Sequence, residues 1–166
     1  MRGAGLLVLG VMLAPGLLAC GGATLFPEPA PCVAPTAVPT TRSPSSQYFA
    51  SVRRSVEQIA TLREQLRASY PGDKFSRTSQ FRLDFAAYAD NTACVAQALM
   101  DIEPTTAAFE PYDADLDAAL QALIEHTAAG REAVRKRNVS DYRAWYQGVD
   151  SKIDAVKTAS NASRPR

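Results

Sequence analysis

Apolar side chains recur at helical spacing between Phe81 and Ile102, and this periodicity constrains the fold more than any other feature of the sequence. Successive apolar positions lie alternately four and three residues apart, which places them on one face of a helix. Pro104 follows and ends the pattern. The segment predicts a helix over about residues 77–102 with an apolar face made of Phe81, Phe85, Tyr88, Thr92, Val95, Leu99 and Ile102.

Three further segments carry the same kind of apolar stripe. The first is predicted over residues 44–69, after Ser43-Pro44, which is typical of a helix start, and before the turn at Pro71-Gly72. The third begins near Pro111, and the fourth follows a break at Asn138. Their apolar positions are Tyr48, Val52, Val56, Ile59, Leu66 and Tyr70, then Phe109, Tyr112, Leu116, Leu120, Leu123, Thr127, Gly130 and Val134, then Tyr142, Tyr146, Val149, Ile153 and Val156.

Four amphipathic segments joined by short links, without strand-like alternation, predict an all-α fold. We expect an up-down-up-down four-helix bundle over residues 44–158, followed by a disordered tail at 159–166. The alternative is a three-helix bundle in which residues 106–157 form one long broken helix. The two differ in whether the chain turns back at Asn138.

The N-terminus has a composition typical of an export signal. Arg2 precedes an apolar run that starts at Gly5, and this arrangement predicts a signal peptide over residues 1–19. The run is shorter than the ~20 residues that a helix needs to cross a bilayer. A permanent transmembrane anchor is therefore the weaker interpretation.

Leu17-Leu18-Ala19-Cys20 follows this run and resembles the lipobox of bacterial lipoproteins, with an aliphatic residue, then a small residue, then the cysteine. In that family the signal is removed before the cysteine, which receives a diacylglyceryl group on sulfur and usually an N-acyl chain. The resemblance covers only the N-terminus and implies a mature protein that begins at lipidated Cys20. It also implies attachment to the cell membrane or the outer membrane, facing the extracytoplasmic side, because several acyl chains such as palmitate bind a bilayer lastingly.

The segment after Cys20 has the composition of a spacer. Residues 21–46 contain six prolines and almost no charge, which favours extended chain over packed structure. We interpret residues 20–43 as a lipidated cysteine and a Pro-rich tether that holds the helical domain away from the lipid.

Charge and residue usage exclude several function classes. The chain has 18 Lys and Arg against 17 Asp and Glu, so no strong attraction to nucleic acid is expected. The single histidine, His126, excludes multi-histidine metal sites, and a haem bound by His126 and Met100 is disfavoured because both lie off the apolar stripes. Asp113, Asp115 and Asp117 are better explained as acids at a helix N-terminus than as a calcium loop. With no catalytic motif, the sequence predicts a protein that is not an enzyme and has no cofactor or metal.

The two remaining cysteines, Cys32 and Cys94, form an even pair in an exported protein. Cys94 projects away from the apolar stripe of its helix, so it is not a typical core cysteine. We predict a disulfide between Cys32 and Cys94, which would hold the distal tether against the second helix. Two free thiols or an intermolecular bridge are the alternatives.

Two side-chain groups bear on function. Arg63 falls on the apolar stripe of its helix, where an unpaired charge is costly, so we expect it to pair with an acid such as Asp84 or to extend to solvent. Binding of a ligand carboxylate by Arg63 is the less favoured alternative. The second group is an aromatic set that could line a ligand cleft but is more typical of a core. Its members are Phe85, Tyr88, Tyr142, Trp145 and Tyr146.

The sequence therefore leads to two functional hypotheses. The first is a lipid-anchored, non-enzymatic helical module that binds an unknown envelope protein or has a structural role there. The second is a carrier of a small ligand or cofactor that uses the aromatic set. A pocket with converging polar groups would favour the second, and a contiguous exposed apolar patch would favour the first.

Overall fold

The computed structural model describes residues 44–103 and 107–162, and these form an all-α four-helix bundle. The helices are α1 (Pro44–Ser69), α2 (Ser79–Met100), α3 (Glu110–Lys136) and α4 (Val139–Asn161), with a short 3-10 turn at Ala107–Phe109 before α3. Each helix packs against its neighbours in the chain, and α4 returns to α1, with which it packs least extensively. The predicted architecture is confirmed. The predicted signal peptide, lipobox and tether, at residues 1–43, lie outside the described residues, so they stay predictions.

The helix boundaries follow from local hydrogen bonds. The Thr78 side chain accepts from the backbone N–H of Phe81 at 3.1 Å and starts α2 later than the predicted residue 77. The Asn138 side chain accepts from the N–H groups of Ser140 and Asp141 and starts α4. Arg137 has φ of 57°, a left-handed conformation that ends α3. The chain therefore turns back here, and the single broken helix of the three-helix alternative is wrong.

The predicted stripes form the core. All the stripe residues that we predicted are buried except four half-buried aromatic or aliphatic side chains at the ends and edges of the stripes, namely Tyr70, Ile102, Phe109 and Tyr146. Trp145 is also buried, and it lies against Gly130 of α3, where a Cβ atom would stand 2.4 Å from its Cδ1. The absence of a side chain at Gly130 thus lets the largest residue of the core fit between α3 and α4.

The last helix is longer than predicted. α4 continues to Asn161, whereas the sequence predicted that the bundle ends at residue 158 and that a disordered tail begins at residue 159. The Tyr112 hydroxyl donates to the carbonyl of Ser160 at 2.9 Å, and Ala159 packs against the core. These contacts with α3 stabilise the last turn, which composition alone does not reveal. Residues 163–166 lie outside the described part of the chain.

Candidate functional site

Arg63 is a charged residue in the core of the bundle. It lies on the apolar face of α1 and is 2% exposed. Its Nε donates to Oδ1 of Asp150 on α4 at 2.8 Å, and its Nη2 donates to Oδ2 at 3.5 Å. Because a buried unpaired charge costs several kcal/mol, this pair explains how the core accepts an arginine.

Two aromatic rings support the Arg63 guanidinium. Its central carbon lies 5.4 Å from the centroid of the Trp145 ring and 4.8 Å from that of Tyr146, both distances at which a cation is attracted to an aromatic face. The guanidinium therefore has a carboxylate on one edge and aromatic surface beside it. These contacts hold the guanidinium between α1 and α4.

The predicted partner of Arg63 is wrong. Asp84 instead accepts a hydrogen bond from the Tyr70 hydroxyl at 2.6 Å and another from the Gln80 side chain at 2.7 Å. The periodicity of α1 places Arg63 on the buried face but does not say which neighbouring helix it meets. In the bundle that side of α1 faces α4, which supplies Asp150.

A second arginine shares the same carboxylate. Arg67, one turn after Arg63, donates from Nη2 to Oδ2 of Asp150 at 2.5 Å and lies 3.4 Å from Glu64. Burial raises the pKa of Asp150, but the hydrogen bond and charge of Arg63, together with those of Arg67, outweigh it and hold the pKa below its usual range. The carboxylate therefore stays ionised at neutral pH.

These residues line a cavity of about 180 Å³ between α1 and α4. Its walls carry three cationic and three anionic side chains over a small apolar surface; the lining residues are Ala60, Arg63, Glu64, Arg67, Asp150, Ile153, Asp154 and Lys157. A second cavity of about 280 Å³ shares Ala60 and Lys157 with it and follows the same two helices. Its other lining residues are Phe49, Arg53, Val56, Glu57, Ser160 and Asn161. We call the two together the α1–α4 groove.

The structure brings the five predicted aromatic residues together. Their rings contact one another, for example Phe85 and Trp145 with centroids 4.6 Å apart, and Tyr88 and Trp145 with centroids 5.9 Å apart. All but Tyr146 are buried. Burial is the main cause that raises the pKa of Tyr88 and of Tyr142 to about 12, so both hydroxyls stay protonated. The five residues form a packed cluster. Arg63, which lines the cavity between α1 and α4, contacts two rings of this cluster, those of Trp145 and Tyr146.

The arrangement places a fixed guanidinium, a second arginine and a lysine around one cavity, with aromatic and aliphatic side chains behind them. Such a site can bind and orient a ligand. Sequence analysis missed Asp150, Arg67 and Lys157. The available signal was that Arg63 and Arg67 are four residues apart on α1, as Tyr146 and Asp150 are on α4, so each pair shares one helix face.

The predicted cysteine sites are only partly within the described chain. Cys94, half-buried on α2, is disulfide-bonded. Cys32 lies outside the described residues, so the pairing of Cys32 with Cys94 stays a prediction, as does lipidation of Cys20.

His126 and Asp113, which the sequence raised as candidate ligands, lie in the described chain. His126 is half-buried, and its Nε2 lies 2.9 Å from the carbonyl oxygen of Trp145. Asp113, in the first turn of α3, accepts from the Tyr48 hydroxyl. Within residues 44–103 and 107–162 no group of three or more His, Cys, Asp or Glu is placed to hold a metal ion. None of the helices in these ranges combines the length and apolar character needed to span a bilayer.

Comparison of the chain with protein-family models, with curated proteins and with solved structures finds no match. The chemistry of the α1–α4 groove and the N-terminal sequence are therefore the features of this chain that bear on its function.

Proposed function

We propose that this chain is a lipid-anchored protein of the bacterial envelope whose helical bundle is a non-enzymatic binding module, and that the α1–α4 groove is its binding site. The lipobox at Leu17-Leu18-Ala19-Cys20 and the Pro-rich tether support the anchor and the extracytoplasmic position. The observation that carries the proposal is the cavity lined by buried Arg63, because polar groups that converge in a cavity are typical of a binding site.

The surface of the described bundle favours the groove over an apolar docking face. Among large hydrophobic side chains of residues 44–103 and 107–162, Leu83 is the exposed one, at 40%. The surface of these residues therefore lacks the contiguous apolar patch that is expected of a module that docks through hydrophobic contact. Converging polar groups in a cavity are the feature typical of a small-ligand site.

A specific observation also favours the second hypothesis, a carrier of a small ligand. The guanidinium of Arg63 connects the groove to Trp145 and Tyr146, two members of the aromatic set. The ligand would then bind beside the aromatic cluster instead of inside it. Photocrosslinking distinguishes the two kinds of partner, an envelope protein and a small molecule.

Site-specific photocrosslinking in intact bacterial cells tests the proposal. The photoreactive residue replaces Glu64, exposed at the groove, or the matched control Glu125, exposed on α3. We expect an adduct from position 64 that is absent at position 125 and that disappears in Cys20→Ser, because the contact requires the membrane position. A protein adduct supports the envelope-protein partner, and an adduct of low mass supports the small ligand. Equal adducts at both positions, or none at position 64, would contradict the proposal.

A further inference from the structure

The α1–α4 groove contains N–H donors that have no acceptor among the described residues. Both oxygens of Asp150 already accept from Arg63 and Arg67. Lys157 has one described hydrogen bond, to Asp154 at 3.2 Å, although an ammonium group has three N–H donors. The Nε of Arg67 is buried with no hydrogen-bond partner in the described chain. Because buried donors without acceptors cost free energy, the groove favours a ligand that brings acceptor atoms.

The anionic side chains of the groove offer less to a cationic ligand. The side chains of Glu64 and Asp154 are 65% and 70% exposed, so water already solvates them. An ion pair formed there would resemble a surface salt bridge, which contributes little. The side chains of Arg63, Arg67 and Lys157 are less exposed, at 3%, 41% and 46%. The cationic side chains of the cavity are therefore less solvated than Glu64 and Asp154, and Arg63 is almost completely desolvated.

The rest of the groove is partly apolar and elongated. Ala60 and Ile153 line the first cavity, and Val56 and Phe49 line the second. From Ala60 to Phe49 the groove follows about 16 Å of α1, at ~1.5 Å per residue. A ligand with an oxyanion at one end and an aliphatic chain would contact both parts.

We infer that the α1–α4 groove binds an aliphatic monocarboxylate, with its carboxylate near Arg67 and Lys157 and its chain along Ala60 and Ile153 toward Phe49. This names the ligand class of the site described under the proposed function and so rests on it. A monoanion fits better than a dianion such as phosphate, because Asp150 already places one negative charge beside the two arginines.

The sequence provides an internal probe. Trp145 is the only tryptophan in the chain, and the Arg63 guanidinium that lines the groove lies over its ring. A ligand that binds to the groove arginines changes the environment of the Trp145 indole ring. Fluorescence titration of the mature chain with octanoate, at constant pH and ionic strength, therefore reports on this site, and calorimetry measures the same affinity independently.

Two variants distinguish binding of octanoate in the groove from non-specific attraction of an anion to surface arginines. Arg67→Gln removes a charged donor of the groove, whereas Arg54→Gln removes an exposed arginine of the same helix that lines neither cavity. We expect octanoate to bind the wild type saturably and Arg67→Gln to weaken it roughly tenfold, with Arg54→Gln unchanged. Lys157→Gln is the second groove variant, and circular dichroism verifies that each variant is folded.

Chain length and head group complete the test. We expect affinity to rise about twofold per methylene from butyrate to octanoate, since full burial of a methylene gives about fourfold. Inorganic phosphate should bind more weakly than octanoate. The inference fails if binding is not saturable, if Arg54→Gln weakens it as much as Arg67→Gln, if chain length has no effect, or if phosphate binds as well. Such a failure leaves the crosslink from position 64 standing, so the two proposals can fail separately.

Discussion

Gly130→Ala should destabilise the bundle although alanine is the better helix former. A Cβ atom at position 130 would stand 2.4 Å from Cδ1, 2.5 Å from Cγ and 2.7 Å from Nε1 of Trp145. Normal contact between carbon atoms is ~3.5–4.0 Å, so the overlap exceeds about 1 Å. Trp145 is 2% exposed and its ring packs against those of Phe85, Tyr88 and Tyr142, so relief of the overlap requires these rings to shift or α3 and α4 to separate.

The expected magnitude is a balance of two effects. Replacing glycine in a helix gains about 1 kcal/mol, and overpacking a core costs about 1–3 kcal/mol or more. Because the contacts with Trp145 are as short as 2.4 Å, the cost falls in the upper part of this range, about 2–3 kcal/mol. We therefore expect Gly130→Ala to lower the free energy of unfolding by about 1–2 kcal/mol.

Gly148→Ala is the matched control. Its Cβ would stand 2.8 Å from the ring of His126, but this ring is half-buried and can rotate away at the loss of one hydrogen bond. The helix gain and this loss nearly cancel. Urea unfolding followed by circular dichroism measures both variants. If Gly130→Ala is as stable as the wild type, or Gly148→Ala is equally destabilised, the close packing of α3 on α4 is wrong.

Three further predictions concern particular contacts. Asp150 has a pKa below its usual range, so its ion pairs stabilise the fold above the unfolded pKa of about 4 and are lost as the pH falls through the folded pKa. In urea unfolding, the free energy of unfolding of Asp150→Asn should therefore fall less steeply with decreasing pH than that of the wild type. Equal slopes would contradict this. Tyr112→Phe removes the hydrogen bond to the Ser160 carbonyl and should cost about 1 kcal/mol, with faster amide exchange at the end of α4 and little change in α2; unchanged exchange there would refute the contact. Non-reducing peptide mapping of the mature protein should recover Cys32 and Cys94 in one linked pair, and recovery of Cys32 as an alkylated thiol would overturn the pairing.

The helices were predictable because their signals are local. α1 occupies Pro44–Ser69, the range predicted from the Ser-Pro start and the Pro-Gly turn. The stripe of α2 is buried from Phe81 to Leu99 because a heptad pattern defines one face, whatever that face meets. α4 extended past its predicted end because its last turn is held by a residue of another helix, Tyr112.

The candidate site was only partly predictable because its contacts join distant parts of the chain. The burial of Arg63 follows from its position on the stripe, but its partner depends on which helix lies beside α1. The order of helices around a bundle is set by packing, and single-sequence periodicity does not encode it. A glycine on the buried stripe of α3 is compatible with close contact by another helix, but only the fold identifies the residue that contacts Gly130 as Trp145.

The central claim, a binding module fixed to a membrane through its first mature residue, is tested most directly by metabolic labelling with a fatty acid. The wild type, Cys20→Ser and the control Cys32→Ser are expressed in a bacterial host, and labelling and membrane association are measured together. We predict that label enters the wild type and Cys32→Ser, which both sediment with membranes, and does not enter Cys20→Ser, which is released or accumulates as precursor. Label in Cys20→Ser equal to that in the wild type would contradict the claim.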